Sequence, residues 1–176
     1  KSQLQSMADS GVNVIKTMIW LVGGDSATHP DKWRLGFPLY PQELQNIRQY
    51  TQDVASIQAS DVHMLDLYFN FGWLGCANYS NGDYSSSCGL TWQEFLSRAN
   101  QSYTNLINNV SDVTRGDGTK VVKGIYLTSE VMISAKQNEE NFLKDLYPDF
   151  VNKSNLAGVM PLVYFLVDGN ESTVLD

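Results

Sequence analysis

The chain has 176 residues, 43% of them hydrophobic and 18% charged, which suits one globular domain with a sizeable core and excludes a disordered chain. Its net charge of -7 and pI near 4.7, with no run of Lys or Arg, exclude a phosphate-backbone binder, so nucleic acid is not an expected partner. No apolar stretch is long enough for a membrane span: Val159–Val167 is the longest candidate, and Pro161 interrupts it.

Lys1–Ser10 carries Leu4, Met7 and Ala8 at helical spacing, and Gly11 is placed to end that helix. Lys1, in place of an initiator Met, reads as a processed or cut end. Val12–Leu21 follows as a mostly apolar strand with Asn13, Lys16 and Thr17 as its polar members. Residues 23–40 form a long connection holding His29, Pro30, Trp33, Arg34 and Pro38; a loop of that length is either functional or disordered, and its Trp and Arg content favours the first. Pro41 suits the first turn of a helix whose apolar stripe is Leu44, Ile47, Val54 and Ala55. Val62–Phe71 is the second strand, and Asp66 inside it is expected to be a hydrogen-bonded core carboxylate.

Cys76 and Cys88 bracket a segment with no hydrophobic periodicity and little to anchor it by packing. A disulfide closing that loop would stabilise the fold by about 2–4 kcal/mol, with two unrelated buried thiols as the alternative. His29 and His63 stand alone and no Cys-x-x-Cys occurs, so a metal site is the weakest reading and no cofactor is expected.

Thr91-Trp92-Gln93-Glu94 has the form of a capping box. The helix it opens is the clearest in the chain, with Trp92, Phe95, Leu96, Ala99, Tyr103, Leu106, Ile107 and Val110 on one stripe. Arg115-Gly116-Asp117-Gly118 contains an Arg-Gly-Asp triplet but reads as a plain turn into the next strand. That strand, Val121–Ser129 within the stretch Val121–Val131, is apolar and ends in small polar residues and Glu130. Asn138 to about Tyr147 is expected to be helical, with Pro148 disturbing its end, and Ala157–Val167 is a nearly all-apolar fourth strand.

The expected order is α-β-α-β-α-β-α-β, without two-residue hairpin turns, which argues for parallel strands covered by helices. Right-handed connections leave an open doubly wound sheet or an arc of a (β/α)8 barrel. Val22-Gly23-Gly24-Asp25 lacks the spacing of a dinucleotide fingerprint, and Gly-x-Ser-x-Gly is absent. Asn-x-Ser occurs at Asn78, Asn100, Asn109, Asn152 and Asn170, against about two expected by chance. Together with the cysteine pair this favours a glycosylated, secreted protein over ordinary polar surface. Asn100 and Asn109 fall off the centre of their helix's apolar stripe, where glycans are expected to be tolerated.

Three strands resemble, in order, strands two to four of clan A glycoside hydrolases, particularly the cellulase-like branch. Gly11-Val12-Asn13-Val14-Ile15-Lys16 is similar to that family's Gly-x-Asn-x-x-Arg, with Lys16 in place of the Arg. Met64-Leu65-Asp66-Leu67-Tyr68-Phe69-Asn70 is similar to its third strand, with Tyr68 where a His usually sits. Gly124-Ile125-Tyr126-Leu127-Thr128-Ser129-Glu130-Val131 resembles its fourth strand, which ends in Asn-Glu-Pro, with Ser129 and Val131 as departures.

The resemblance implies a single α/β domain over 1–176 that is part of a TIM (β/α)8 barrel, with Ala157–Val167 as strand five. It implies retaining hydrolysis of O-glycosidic bonds with Glu130 as acid/base, Lys16, Tyr68 and Ser129 near the sugar, and a nucleophile on strand seven. The remaining strands are then expected from a longer precursor or a partner chain. Trp33 and Trp73 are the aromatics singled out to stack on a carbohydrate. Two alternatives stay open: a Glu130 that only caps an amide or pairs with Lys16, and a non-catalytic extracellular glycoprotein that binds carbohydrate on the same scaffold.

Overall fold

A computed structural model describes residues 2–20, 41–57, 65–72, 77–80, 83–86, 91–127, 131–132, 144–145, 147–162 and 165–166. Its elements are α1 (Ser2–Asp9), β1 (Val14–Trp20), α2 (Pro41–Ala55), β2 (Asp66–Gly72), β3 (Ala77–Ser80), β4 (Asp83–Ser86), α3 (Trp92–Val110), β5 (Val122–Leu127), β6 (Val131–Met132), α4 (Tyr147–Leu156), β7 (Met160–Leu162) and β8 (Phe165–Leu166). The four principal strands form one sheet in the order β1-β2-β5-β7, and every pairing in it is parallel. The spatial order follows the chain without a reversal, and helices alternate with the strands. That order is consistent with an arc of an α/β barrel, and it also occurs on one side of the switch point of a doubly wound sheet.

The helices end where local chemistry tells them to. Gly11 adopts φ 85° after α1, donating to Ala8 O at 2.9 Å while Val12 N donates to Met7 O at 3.0 Å. Gly158 does the same after α4 with φ 65°, and Val159 N donates to Ser154 O at 2.9 Å. These left-handed closures return the chain sharply toward the sheet. The capping box forms as expected: Glu94 N donates to Thr91 Oγ1 at 3.3 Å, and Thr91 N donates to Glu94 Oε2 at 2.8 Å.

One continuous core lies between the sheet and the helices. Leu67, Phe69 and Ile125 from the strands meet Val54 of α2, Tyr103 and Leu106 of α3, and Phe150 of α4, all at most 1% exposed. Period-two alternation cannot bury both Val122 and Ile125, which are three residues apart. A bulge resolves the conflict: Leu67 pairs with Val122, but Tyr68 pairs with Gly124, so Lys123 is the extra residue.

Several expectations change. β3 and β4 form an antiparallel hairpin, with Ala77 opposite Ser86 and Ser80 opposite Asp83, inside the segment between the cysteines. Only two residues separate the paired Ser80 and Asp83, so the expectation of no two-residue hairpin connection is corrected. Pro148 sits in the first turn of α4, where its missing N–H is one of the groups a helix start leaves unpaired. The helix expected over Asn138 to about Tyr147 lies mostly outside the described residues, of which 144–145 are helical. The expected fourth strand divides: Met160–Leu162 joins the main sheet, while Phe165–Leu166 pairs in parallel with Val131–Met132. Asp66 is not a core carboxylate; its side chain is 34% exposed, 3.0 Å from Arg115 Nη2 and 3.8 Å from Lys123 Nζ. It opens β2, and Arg115 and Lys123 hold it at the core's margin.

Candidate functional site

The side of the sheet turned away from the core carries the residues with chemistry. Strand alternation places Lys16 of β1, Tyr68 and Asn70 of β2, and Gly124 and Tyr126 of β5 on that side, opposite Ile15, Leu67, Phe69 and Ile125. In register, Lys16 lies beside Tyr68, Tyr68 beside Gly124, and Asn70 beside Tyr126. Lys16 is exposed, Tyr68 and Tyr126 are half-buried, and Asn70 is buried.

Gly124 shapes this surface. A Cβ there would lie 2.9 Å from Tyr68 Cδ1 and 2.7 Å from Leu162 Cδ1, so the missing side chain is the space those two groups occupy. The rings of Tyr68 and Tyr126 are 6.4 Å apart at 51°. The Lys16 ammonium stands over the Tyr126 ring, 4.4 Å from its centroid. An exposed cation–π contact of this kind contributes about 0.5–1 kcal/mol. The result is a strip with flat apolar ring faces, two phenolic hydroxyls, an ammonium and an amide. Such groups can stack on a flat apolar ligand face and hydrogen-bond a polyol at its edge.

Of the site residues expected from sequence, Lys16 and Tyr68 are brought together on this strip. Glu130, Ser129, Trp33, Trp73, Cys76, Cys88 and Asn170 lie outside the described residues. Tyr126 was not singled out, yet it touches both Lys16 and Tyr68. The available signal was its spacing of two from Gly124 and four from Glu130 in a strand expected to end at a rim.

A second polar cluster sits on the helical side, between α3 and α4. Asp149 Oδ2 accepts hydrogen bonds from Asn100 Nδ2 at 2.7 Å, from Lys153 Nζ at 2.8 Å and from the Tyr103 hydroxyl. Lys153 also donates to Thr104 Oγ1 at 3.0 Å and to Asn100 Oδ1. Burial pushes the Tyr103 phenol up, and its bond to Asp149 adds to that shift. For Asp149 burial acts upward, but the bonds from Lys153, Tyr103 and Asn100 outweigh it and hold the carboxyl below its usual range. An outer groove of about 370 Å³ runs beside this cluster, lined by Thr104, Ile107, Ser111, Lys153 and Leu156. It lies on the helical layer, away from the strip.

Asn100 and Asn109 are half-buried, and each is bonded to a neighbouring helix. Asn100 is tied to α4, and Asn109 Nδ2 donates to Leu44 O of α2 at 2.8 Å. Asn152 is exposed on α4, and Asn78 lies in β3 opposite Ser85.

The Arg-Gly-Asp triplet is structural, as expected. Arg115 is 7% exposed and donates to Lys120 O at 3.0 Å, to Asp66 at 3.0 Å and to Leu65 O. Asp117 accepts from Thr119 N at 2.8 Å, closing the turn locally. Among the described residues no group of three or more His, Cys, Asp or Glu could hold a metal, and no helix is long and apolar enough to cross a membrane. No protein-family model, curated protein or solved structure matches this chain.

Proposed function

We propose that this chain is an arc of a glycoside-hydrolase-like (β/α)8 barrel that receives a carbohydrate on the strip built around Lys16, Tyr68 and Tyr126. The observation that carries the reading is the coincidence of two features. The parallel strands follow the chain in order, and the aromatic strip lies on the sheet side that becomes the interior of a barrel. In such barrels chemistry collects at the strand C-termini, and Tyr126 is the second-last residue of β5, four positions before Glu130.

In this proposal Glu130 donates a proton to the leaving glycosidic oxygen, and a second carboxylate on a later strand is the nucleophile. Retention requires the two carboxyl groups about 5–5.5 Å apart. Tyr68 and Tyr126 stack on the sugar, and Ser129, Trp33 and Trp73 complete the contact surface. The protein is secreted, with Cys76 and Cys88 joined across the base of the β3–β4 hairpin. The pairing of Ala77 with Ser86 favours that bond, since the two cysteines lie one and two residues beyond the paired positions.

A second reading, carbohydrate binding without hydrolysis, is favoured by Lys16: its ammonium rests on an aromatic ring, and it lacks the planar fork of the family's Arg. The test is a hydrolysis screen of the full-length protein on glycosides, alongside binding by calorimetry. The enzyme reading expects hydrolysis that falls about 10²–10⁴-fold in Glu130→Gln. Binding without turnover, unchanged in that variant, selects the second reading. No binding and no turnover for any glycan rejects both.

A further inference from the structure

Among the described side chains, Ser154 is the buried polar group without a hydrogen-bond partner. It is fully buried on α4, and its hydroxyl neither joins the Asp149 cluster nor bonds back to its own helix. A buried hydroxyl in that state is destabilising relative to an apolar group of the same size. Packing therefore does not explain why Ser rather than Ala stands there.

The residue two positions earlier does. Asn152-Lys153-Ser154 is an N-glycan acceptor triplet, and the motif needs a hydroxyl at its third position. Asn152 is exposed on the outer face of α4. The two triplets on α3 differ, because the amide nitrogens of Asn100 and Asn109 are committed to contacts with α4 and α2 at 2.7 and 2.8 Å. A glycan on either would have to occupy the space between packed helices.

We propose that Asn152 carries an N-linked glycan that is added before α4 folds, and that Ser154 is kept for that recognition step. This rests on the secretory part of the reading above. The transfer forms a bond between Asn152 Nδ2 and C1 of a lipid-pyrophosphate-linked oligosaccharide. The C1–O bond to pyrophosphate breaks, the lipid pyrophosphate leaves with the bonding pair, and the amide loses one proton. The acceptor hydroxyl is accessible only while the segment is unfolded; folding then buries Ser154 and leaves the glycan on the surface. A chain modified at Asn100 or Asn109 before folding loses that side chain's bond to α4 or α2, so the chains that fold are bare at both.

The test is site mapping of the full-length protein secreted from a eukaryotic host behind a supplied leader, so that entry into the pathway does not depend on the native address. The folded fraction is expected to carry glycan at Asn152, to lack it at Asn100 and Asn109, and to lose it from Asn152 in both Asn152→Gln and Ser154→Ala. In unglycosylated protein from bacterial cytoplasm, Ser154→Ala is expected to raise Tm by about 2–4 °C. A bare Asn152, or glycan on Asn100 or Asn109 in folded protein, overturns the assignment. A fall in Tm for Ser154→Ala shows that the hydroxyl is structural and overturns its proposed purpose. Mapping the protein from its native source separates the two levels: if it carries no glycan there while the supplied-leader protein is modified at Asn152, the secretory reading fails and the site selection stands.

Discussion

Lys16 Nζ stands 4.4 Å from the centroid of the Tyr126 ring, although β2 lies between their strands. The contact depends on what β2 and β5 leave open. Tyr68 is the register partner of both Lys16 and Gly124, and its ring occupies the space a side chain at Gly124 would fill. Replacing Tyr126 with Leu removes the aromatic face and is expected to cost about 0.5–1 kcal/mol of stability through the lost cation–π contact. On the carbohydrate reading the same change weakens glycan binding. Urea unfolding and calorimetric titration of Tyr126→Leu check the two effects separately.

Gly124→Ala tests the other half of that relationship. The added methyl would lie 2.9 Å from Tyr68 Cδ1 and 2.7 Å from Leu162 Cδ1. The Leu terminus can turn aside, but the tyrosine ring must move as a body. Overpacking of this kind costs roughly 1–3 kcal/mol, read as a lower urea midpoint with an unchanged slope. A variant as stable as the parent would mean that the ring has room to spare.

Arg115 ties the turn before β5 to the start of β2. Arg115→Met would leave the carbonyls of Leu65 and Lys120 and the Asp66 carboxylate without their guanidinium donors. The expected loss is about 2–3 kcal/mol by chemical denaturation, reduced from a fully buried pair because Asp66 is partly exposed. Arg115→Lys is also destabilised, since one ammonium cannot reproduce the fork that reaches several acceptors at once. An adhesion assay of the folded protein on Arg-Gly-Asp receptors should be negative, because the Arg of the triplet is 7% exposed.

The Asp149 cluster makes the docking of α4 on α3 depend on pH at both extremes. Asp149 is held below its ordinary value of 3.8, so the unfolded state binds more protons in acid. Its contribution is complete above that unfolded value and is lost as pH falls through the folded one. Tyr103 is raised above its ordinary 10.0, so its contribution is complete below pH 10.0 and is lost as pH rises through the folded value. Stability measured against pH should fall at both ends, and Asp149→Asn should flatten the acid limb. An acid limb as steep in that variant as in the parent would assign acid sensitivity to other carboxylates.

Much of this architecture was legible in the residues alone. Helix starts and stops are local: the Thr91–Glu94 capping box and Gly11 act within a few residues, so their chemistry predicts the outcome without any partner. The alternation of elements and the apolar strands likewise imply parallel pairing, which the sheet confirms. The antiparallel pairing of β3 and β4 is equally local, but these short polar strands carry no strong alternation to announce it.

What the tertiary structure decided depends on residues far apart in the chain. The bulge at Lys123 is fixed by which residues of β5 fit against β2, and it determines that Gly124 and Tyr126 share a side of the sheet with Tyr68 and Lys16. The cations beside Asp66 come from the turn before β5 and from β5 itself, beyond the reach of any periodicity in β2. Asn100, Asn109 and Asn152 read as equivalent triplets, and only helix packing separates two inter-helix hydrogen-bond donors from one exposed amide. A side chain's neighbours along the chain set its backbone conformation. Whether it meets water, a ring or another helix is set by elements that sequence spacing does not bring together.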